Sequence, residues 1–547
     1  MASLQPLTVS ALGHRRAAHL LRRTSFRYTK ARIDELAGLS VEKAVDRLLQ
    51  VYPLKMQQPI YPGPNGNVTW LMPPAAELPA EDFVLRRYVM AWWVSEALQD
   101  PGIAHRMALF LHQHLIVTAV SFGNGHFFDY LSLLRWAALG NFKKLATKIV
   151  TDNCMLRYLN NHQNTKSNPN ENFAREFFEL FTIGKGPQIG PEDYTTYTEY
   201  DIVQAARVFT GFRARGQRDS VDPETGIPRG VTAIAQHDTG PKTFSSKFQN
   251  TTIPGATTNA GMWQELDAFV NMVFAQAEVA RTFCRRLYRF FVSRYITPEI
   301  EADIIEPLAQ TFRSNNYEIL PVLRQLLQSR HFYDEDDAEM GDEIIGGMIR
   351  SPLDTTLQML SFFGIPLPDP NANPKLFYQD LFSTGILQRV LSPAGFPLFL
   401  ASDVAGYPAY YQEPEYSRQW FNSSTIIGRY KFPEQLLTGR MRLGATPNAQ
   451  LFFQLDIVQW VRNSGFFSNA ADPHALVEEF LRYLLPTTVS AERFDYFYRE
   501  VFLNNLPPYD WTYEWQAYLQ TNNPAEVRIP LERLLKAVLY SQEFQTF

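Results

Sequence analysis

The sequence predicts a mostly α fold: a large multi-helix globular body with long irregular loops. Three observations predict it. Apolar residues recur at helical spacing along most of the chain, several segments open with explicit N-cap signals, and strand-length alternation of apolar and polar residues is missing. In "ARIDELAGLSVEKAVDRLL", residues Ile33, Leu36, Ala37, Val41, Ala44, Val45 and Leu48 keep helical spacing around a break near Gly38. Asn168-Pro169-Asn170-Glu171 reads as an N-cap, a proline at the first helical position and a carboxylate at the third. Ser351-Pro352-Leu353-Asp354 repeats the pattern, and Thr297-Pro298-Glu299 and Thr198-Glu199-Tyr200-Asp201 open two more helices.

The elements follow in order. Residues 1–50 form N-terminal helices, 51–82 a Pro-rich surface crossing and 83–212 a central helical core. Residues 213–260 form an irregular loop or hairpin region, where the one small β element is expected. Residues 261–363 are helical, 364–424 irregular and rich in Pro and Tyr, and 425–547 helical again, with "HALVEEFLRYLL" and "PLERLLKAVLYSQEF". Long irregular stretches inside a compact protein are often functional. Residues 1–33 carry Arg15, Arg16, Arg22, Arg23, Arg27 and Lys30 and no acid. That composition suits a transit peptide or twin-arginine signal. No apolar segment follows the arginine pair, so a basic first helix of the domain is the preferred reading.

Bulk composition narrows the classes. A chain of 547 residues with 45% hydrophobic content can bury more than one core. A net charge of −5 argues against nucleic acid or an anionic membrane as the main partner. Two cysteines, Cys154 and Cys284, exclude a disulfide framework, a zinc ribbon and an iron–sulfur site. No apolar run approaches the roughly 18 residues of a membrane span. With no signal peptide recognised, a cytoplasmic location is the default.

The strongest polar constellation lies in "NPNENFAREFFELFTIG", 168–184. Glu171, Arg175 and Glu179 are four apart and form one stripe, and Glu176 sits one turn from Glu179. This is either an exposed salt-bridged stripe or a carboxylate pair for proton transfer or metal binding, with Arg175 gripping an anion. In "AHRMALFLHQHLIVT", His112 and His114 would diverge on a helix, while His105 and His112 share a face. At most one of the pair should join a site. In "QHDTGPKTF", His237, Asp238 and Lys242 flank a Thr-Gly-Pro turn, where they could serve acid–base chemistry or simply fix the turn. Walker A, GxGxxG, GxSxG and EF-hand patterns are absent.

Taken as a set, the motifs resemble a bacterial family, the domain of unknown function numbered eighteen hundred. The matching pieces are "AAHLLRRTSF", "HRMALFLHQHL", "NENFAREFFELFTIG", "YTEYDIVQAARVFTGF", "HDTGPKTF", "MIRSPLDTTLQML", "DVAGYPAYY" and "WFNSST", in order over nearly the whole chain. The resemblance implies a mostly helical fold and assigns no reaction. It also implies members that often look exported, and a sulfatase-like or phosphatase-like companion as protein partner. Two positions depart from the family pattern: Phe181 stands where a His is usual, and Tyr407 where a Trp is usual.

The expected site joins separated motifs. Glu176, Glu179, His237 and Asp238 are the catalytic candidates, and Asn172, Arg175 and Lys242 the substrate-binding ones. His112, Glu176 and Glu179 are candidate ligands for a divalent metal. The expected function is an enzyme, or a descendant of one, acting on a polar or anionic substrate such as a saccharide or a phosphate- or sulfate-bearing polymer. The alternative is a non-catalytic subunit of a surface or organellar assembly, with the Tyr-rich segment 407–416 as an aromatic interface.

Overall fold

A computed structural model describes residues 2–50, 57–72, 75–337, 344–439, 441–443 and 451–547, with the backbone alone for 441–443 and 451–453. Helix accounts for 56% of the chain, and the described strands form only two-stranded antiparallel hairpins. Two of these, Phe212–Arg213 with Val231–Thr232 and Lys242–Thr243 with Thr252–Ile253, fall in the segment expected to hold a β element. Others lie outside it, at Tyr61–Gly63 with Gly66–Val68, Gln188–Gly190 with Asp193–Tyr194, and Met441–Leu443 with Leu451–Phe453. Strands of two or three residues carry too little alternation to register in the sequence. The 61–68 hairpin sits within the Pro-rich crossing, of which 51–56 and 73–74 lie outside the described residues.

The apolar side chains merge into one continuous core running from Leu12 to Phe544 rather than several. At its centre, helix Asp82–Gln99 buries Trp92 and Trp93 and packs on Asn124–Ala137 and on Lys375–Leu391. The last of these corrects the expectation of an irregular 364–424. Lys375–Leu391 is a π-helix, burying Phe377, Leu381, Phe382, Ile386, Leu387, Val390 and Leu391. Its apolar spacing of four and five suits a wider turn and escapes a search for a 3.6-residue period.

The basic N-terminal stretch is also core. In helix His14–Thr24, Arg22 donates to the carbonyls of Leu485 and Tyr483 at 2.7 and 2.8 Å, and Arg23 to that of Ile344 at 2.7 Å. Among the described residues no helix is long and apolar enough to cross a membrane. Three of the four caps form as the sequence spells them, including full capping boxes at Ser351/Asp354 and Thr198/Asp201. The fourth is displaced: Asn170, rather than Asn168, caps helix Glu171–Glu176 by accepting from Asn172 N at 2.9 Å.

Candidate functional site

Helix Glu171–Glu176 runs directly into a π-helix, Phe177–Phe181. Phe173, Phe177, Phe178 and Phe181 are all fully buried. Their spacing keeps all four rings within about 140° of one helical face, and Glu176 and Glu179 lie on the opposite, outer side. π-Turns of this kind recur at functional sites.

On that outer side the stripe is assembled as the spacing foretells, with one addition. Arg175 grips Glu199 with two parallel bonds of 2.8 and 2.7 Å, and lies 3.5 Å from Glu171 and 3.7 Å from Glu179. Glu199 is the first residue of helix Glu199–Val208, so this fork staples one helix to the next. The Glu199 hydrogen bonds hold the guanidinium above its usual range. Glu179 also accepts from the Tyr197 hydroxyl and meets Lys185 at 3.5 Å. Arg175 is therefore saturated by carboxylates of its own chain, and its expected role of gripping a substrate anion is replaced by bracing.

Glu176 is different. Among the described residues its carboxyl has no hydrogen bond and no ion pair. Burial, then the neighbouring Glu179 carboxyl, raises its pKa to about 6, and Asp403 adds to the rise. Tyr158 lies within the same field, its phenol raised by burial and then by Asp403 and Glu176. Tyr411, partly exposed, stands against Asp403. Glu176, Asp403 and Tyr158 thus lie near enough to feel one another's charge, with Tyr411 beside Asp403. Asp403 and Tyr411 come from "DVAGYPAYY", a stretch whose polar members sequence reasoning passed over. Its geometry offers the missing signal: Gly406 has φ +97°, and a Cβ there would sit 3.2 Å from Gln113 Oε1 and 3.3 Å from Ile116 Cδ1. Only glycine lets this loop close onto the end of helix Ala104–His114.

The remaining candidates lie elsewhere. Asn172 donates to Leu159 O at 3.2 Å and pins a loop. His237 is fully buried, with Nδ1 2.7 Å from Thr210 O and Nε2 3.0 Å from Glu265. Lys242, equally buried, meets Glu265 at 2.6 Å, and burial lowers its pKa. Asp238 is held by Arg207 at 2.7 and 3.2 Å. These three residues form a closed network with Glu265 and Arg207. Arg207 lies eight residues beyond Glu199 on one helix, about 12 Å along its axis, so the network does not share the Glu176 site.

The histidines diverge as expected. Tyr130 donates its hydroxyl proton to Leu115 O at 2.8 Å, so it must accept from His112 Nδ1–H at 2.9 Å. Burial holds His112 neutral, with a pKa of about 3. His114 donates from Nε2 to Phe181 O at 2.8 Å and receives Arg286 at Nδ1, 3.2 Å away. His105 pairs with the buried Asp100 at 2.7 Å. Among the described residues no three His, Cys, Asp or Glu side chains are grouped to hold a metal ion, so His112, Glu176 and Glu179 are not brought together as a ligand set.

A family model described as "Protein of unknown function (DUF1800)" matches residues 19–546. The chain belongs to the DUF1800 family. No curated protein and no solved structure matches it. Both DUF1800 departures lie in packed surroundings. Phe181 is fully buried against Phe173, and Tyr407 packs on Phe396 while donating to Pro397 O at 2.7 Å. Phe181 therefore faces the core, on the side away from Glu176.

Proposed function

We propose that this DUF1800 protein is an enzyme of carboxylate acid–base type, with Glu176 as the proton donor. The observation that carries the reading is Glu176 itself: a half-buried carboxyl without a hydrogen bond or ion pair among the described residues, its pKa raised to about 6 by burial and by the Glu179 and Asp403 carboxyls. A carboxyl whose pKa lies within about a unit of neutral retains a protonated fraction there, and protonation of a leaving oxygen draws on that fraction. The Asp403 carboxyl, on the facing loop, is the matching base for an incoming water. Tyr158 and Tyr411 supply hydroxyls that suit a polar, hydroxyl-rich substrate such as a saccharide or its esters. The proton steps are assigned to these side chains alone.

The test is a panel of nitrophenyl glycosides, phosphate esters and sulfate esters, assayed across pH with the wild type and Glu176→Gln. Turnover on any class with a basic limb near pH 6, lost in the folded Gln variant, supports the reading. Equal turnover by the variant contradicts it.

A second reading, a non-catalytic subunit, is favoured by one surface. At helix Pro508–Thr521, Leu506, Tyr509 and Tyr513 are 56%, 70% and 69% exposed. Such a row suits a protein partner, for which the sulfatase-like or phosphatase-like companion is the candidate. The Tyr-rich segment 407–416 does not offer the equivalent surface: Tyr407 and Tyr416 are buried there.

A further inference from the structure

Away from Glu176, a cavity opens between helices Ala104–His114 and Ala277–Phe291, the start of Pro352–Phe362 and the segment 409–420. It is narrow, with about 20 Å³ open to the centre of a water-sized sphere. Three arginines line it: Arg106, Arg289 and Arg294. Asp354 is the one acidic side chain among the described residues of its wall, which also includes Phe547 with its main-chain carboxyl group.

Asp354 is already committed. It pairs with Arg106, accepts from the Ser351 hydroxyl at 2.7 Å and closes the capping box of its own helix. Among the described residues the one carboxylate paired with Arg289 is Glu413, 3.6 Å away and 72% exposed, a contact that water screens. Arg294 donates to the neutral oxygens of Gly347 and Tyr295 at 3.0 and 2.9 Å. The described wall therefore carries an excess of positive charge.

The donors are unfilled as well as the charge. The Nε–H groups of Arg106, Arg289 and Arg294 are each buried without a hydrogen-bond partner. Arg106 itself is only 3% exposed. Aromatic rings fix the planes of two guanidiniums: Arg106 lies 5.1 and 5.0 Å from the Phe26 and Phe290 centroids, and Arg289 lies 5.1 Å from that of Tyr416. A guanidinium covered on its faces can donate only from its edges. Unpaired buried donors and uncompensated buried charge are both costly, and one anion relieves both at once.

We propose that this cavity binds a small tetrahedral oxyanion, phosphate or sulfate, as the free ion or as the ester group of a larger molecule. Rigid, planar edge donors match the oxygens of such an anion, and the Ser417 hydroxyl, which accepts from Ile349 N, can donate to it as well. The site uses none of the residues assigned to proton transfer at Glu176 and does not depend on that assignment.

Isothermal titration of the full chain with inorganic phosphate, inorganic sulfate and glucose 6-sulfate tests it, with nitrate as the control for non-specific salt effects. Saturable binding of any of the three, absent with nitrate, is expected, and the preferred probe identifies free ion or ester as the source. Arg289→Gln with Arg294→Gln should weaken that binding at least about tenfold while the helical spectrum is unchanged. Arg289→Gln alone, at a side chain already one-quarter exposed, should weaken it in the same direction and covers the case in which the double variant does not fold. No binding of any probe to the wild type, or undiminished binding by the folded variants, overturns the proposal.

Discussion

The two ends of helix Glu199–Val208 make an instructive pair. At the first turn, Glu199 holds Arg175 beside Glu176 and Glu179; at the last, Arg207 holds Asp238 beside His237, Lys242 and Glu265. The residue types at both ends are those of catalytic sites. At the far end every named charged group has its partner inside the fold, and His237 and Lys242 are sealed from solvent. At the near end one carboxyl is left over, half-buried and facing outward. Composition does not separate a structural network from a reactive site. What separates them is whether a chemically capable group remains unspent where a substrate can reach it.

The comparison can be broken most forcefully at its closed end. Glu265→Ala leaves His237 and Lys242 buried without their carboxylate and should cost about 3–5 kcal/mol, read from urea denaturation. A cost near that of an exposed pair would mean the network is not what holds this region.

Phe181→His introduces the residue that the family resemblance implies for this position. It places an imidazole in the aromatic core against Phe173, so it should cost about 1–3 kcal/mol and leave the pH dependence of Glu176 unmoved. A shifted Glu176 titration would put this position beside Glu176 after all.

Arg175→Ala removes the fork that staples the two helices. The guanidinium is about one-third exposed, so the loss should be about 1–2 kcal/mol. Arg175→Lys should recover less than half of it, because a single ammonium cannot reproduce the two-pronged grip.

Glu176→Gln should act in the opposite direction. The folded pKa, about 6, lies above the ordinary 4.5, so the native state binds the proton more tightly than the unfolded chain. Stability is therefore lost as pH rises through that window, and the penalty is complete above it. The full shift corresponds to about 2 kcal/mol, which screening at a half-exposed group reduces to about 1 kcal/mol. The variant should gain that amount at pH 7.5 and nothing at pH 4, measured as paired thermal melts.

Much of this was legible in the sequence, and the gaps have physical reasons. The helical class, the capping boxes and the Glu171–Arg175–Glu179 stripe follow from periods and offsets along a single helix. Divergence of His112 and His114 follows from helical geometry in the same way. Long-range pairing is not written in spacing: nothing near Arg175 announces Glu199, and nothing near His237 announces Glu265. The π-turn at Phe177–Phe181 was hidden because its three phenylalanines, with Phe173 before them, also fit one α-helical face. Asp403 was missed because it sits in a loop whose fold depends on Gly406 meeting a distant helix end. Joining His237, Asp238 and Lys242 to Glu176 rested on residue type alone, and the helix between them keeps the two groups apart.

Glu176 is the carboxyl on which the account turns, its pKa raised toward neutrality by burial and by the neighbouring Glu179 carboxyl. Its titration can be followed directly by 13C NMR of the glutamate side-chain carboxyls, with the Glu176 signal assigned by its disappearance in Glu176→Gln. A midpoint of about 6 is predicted. A midpoint at or below 4.5 would show an ordinary, solvated or paired carboxylate and would contradict the account.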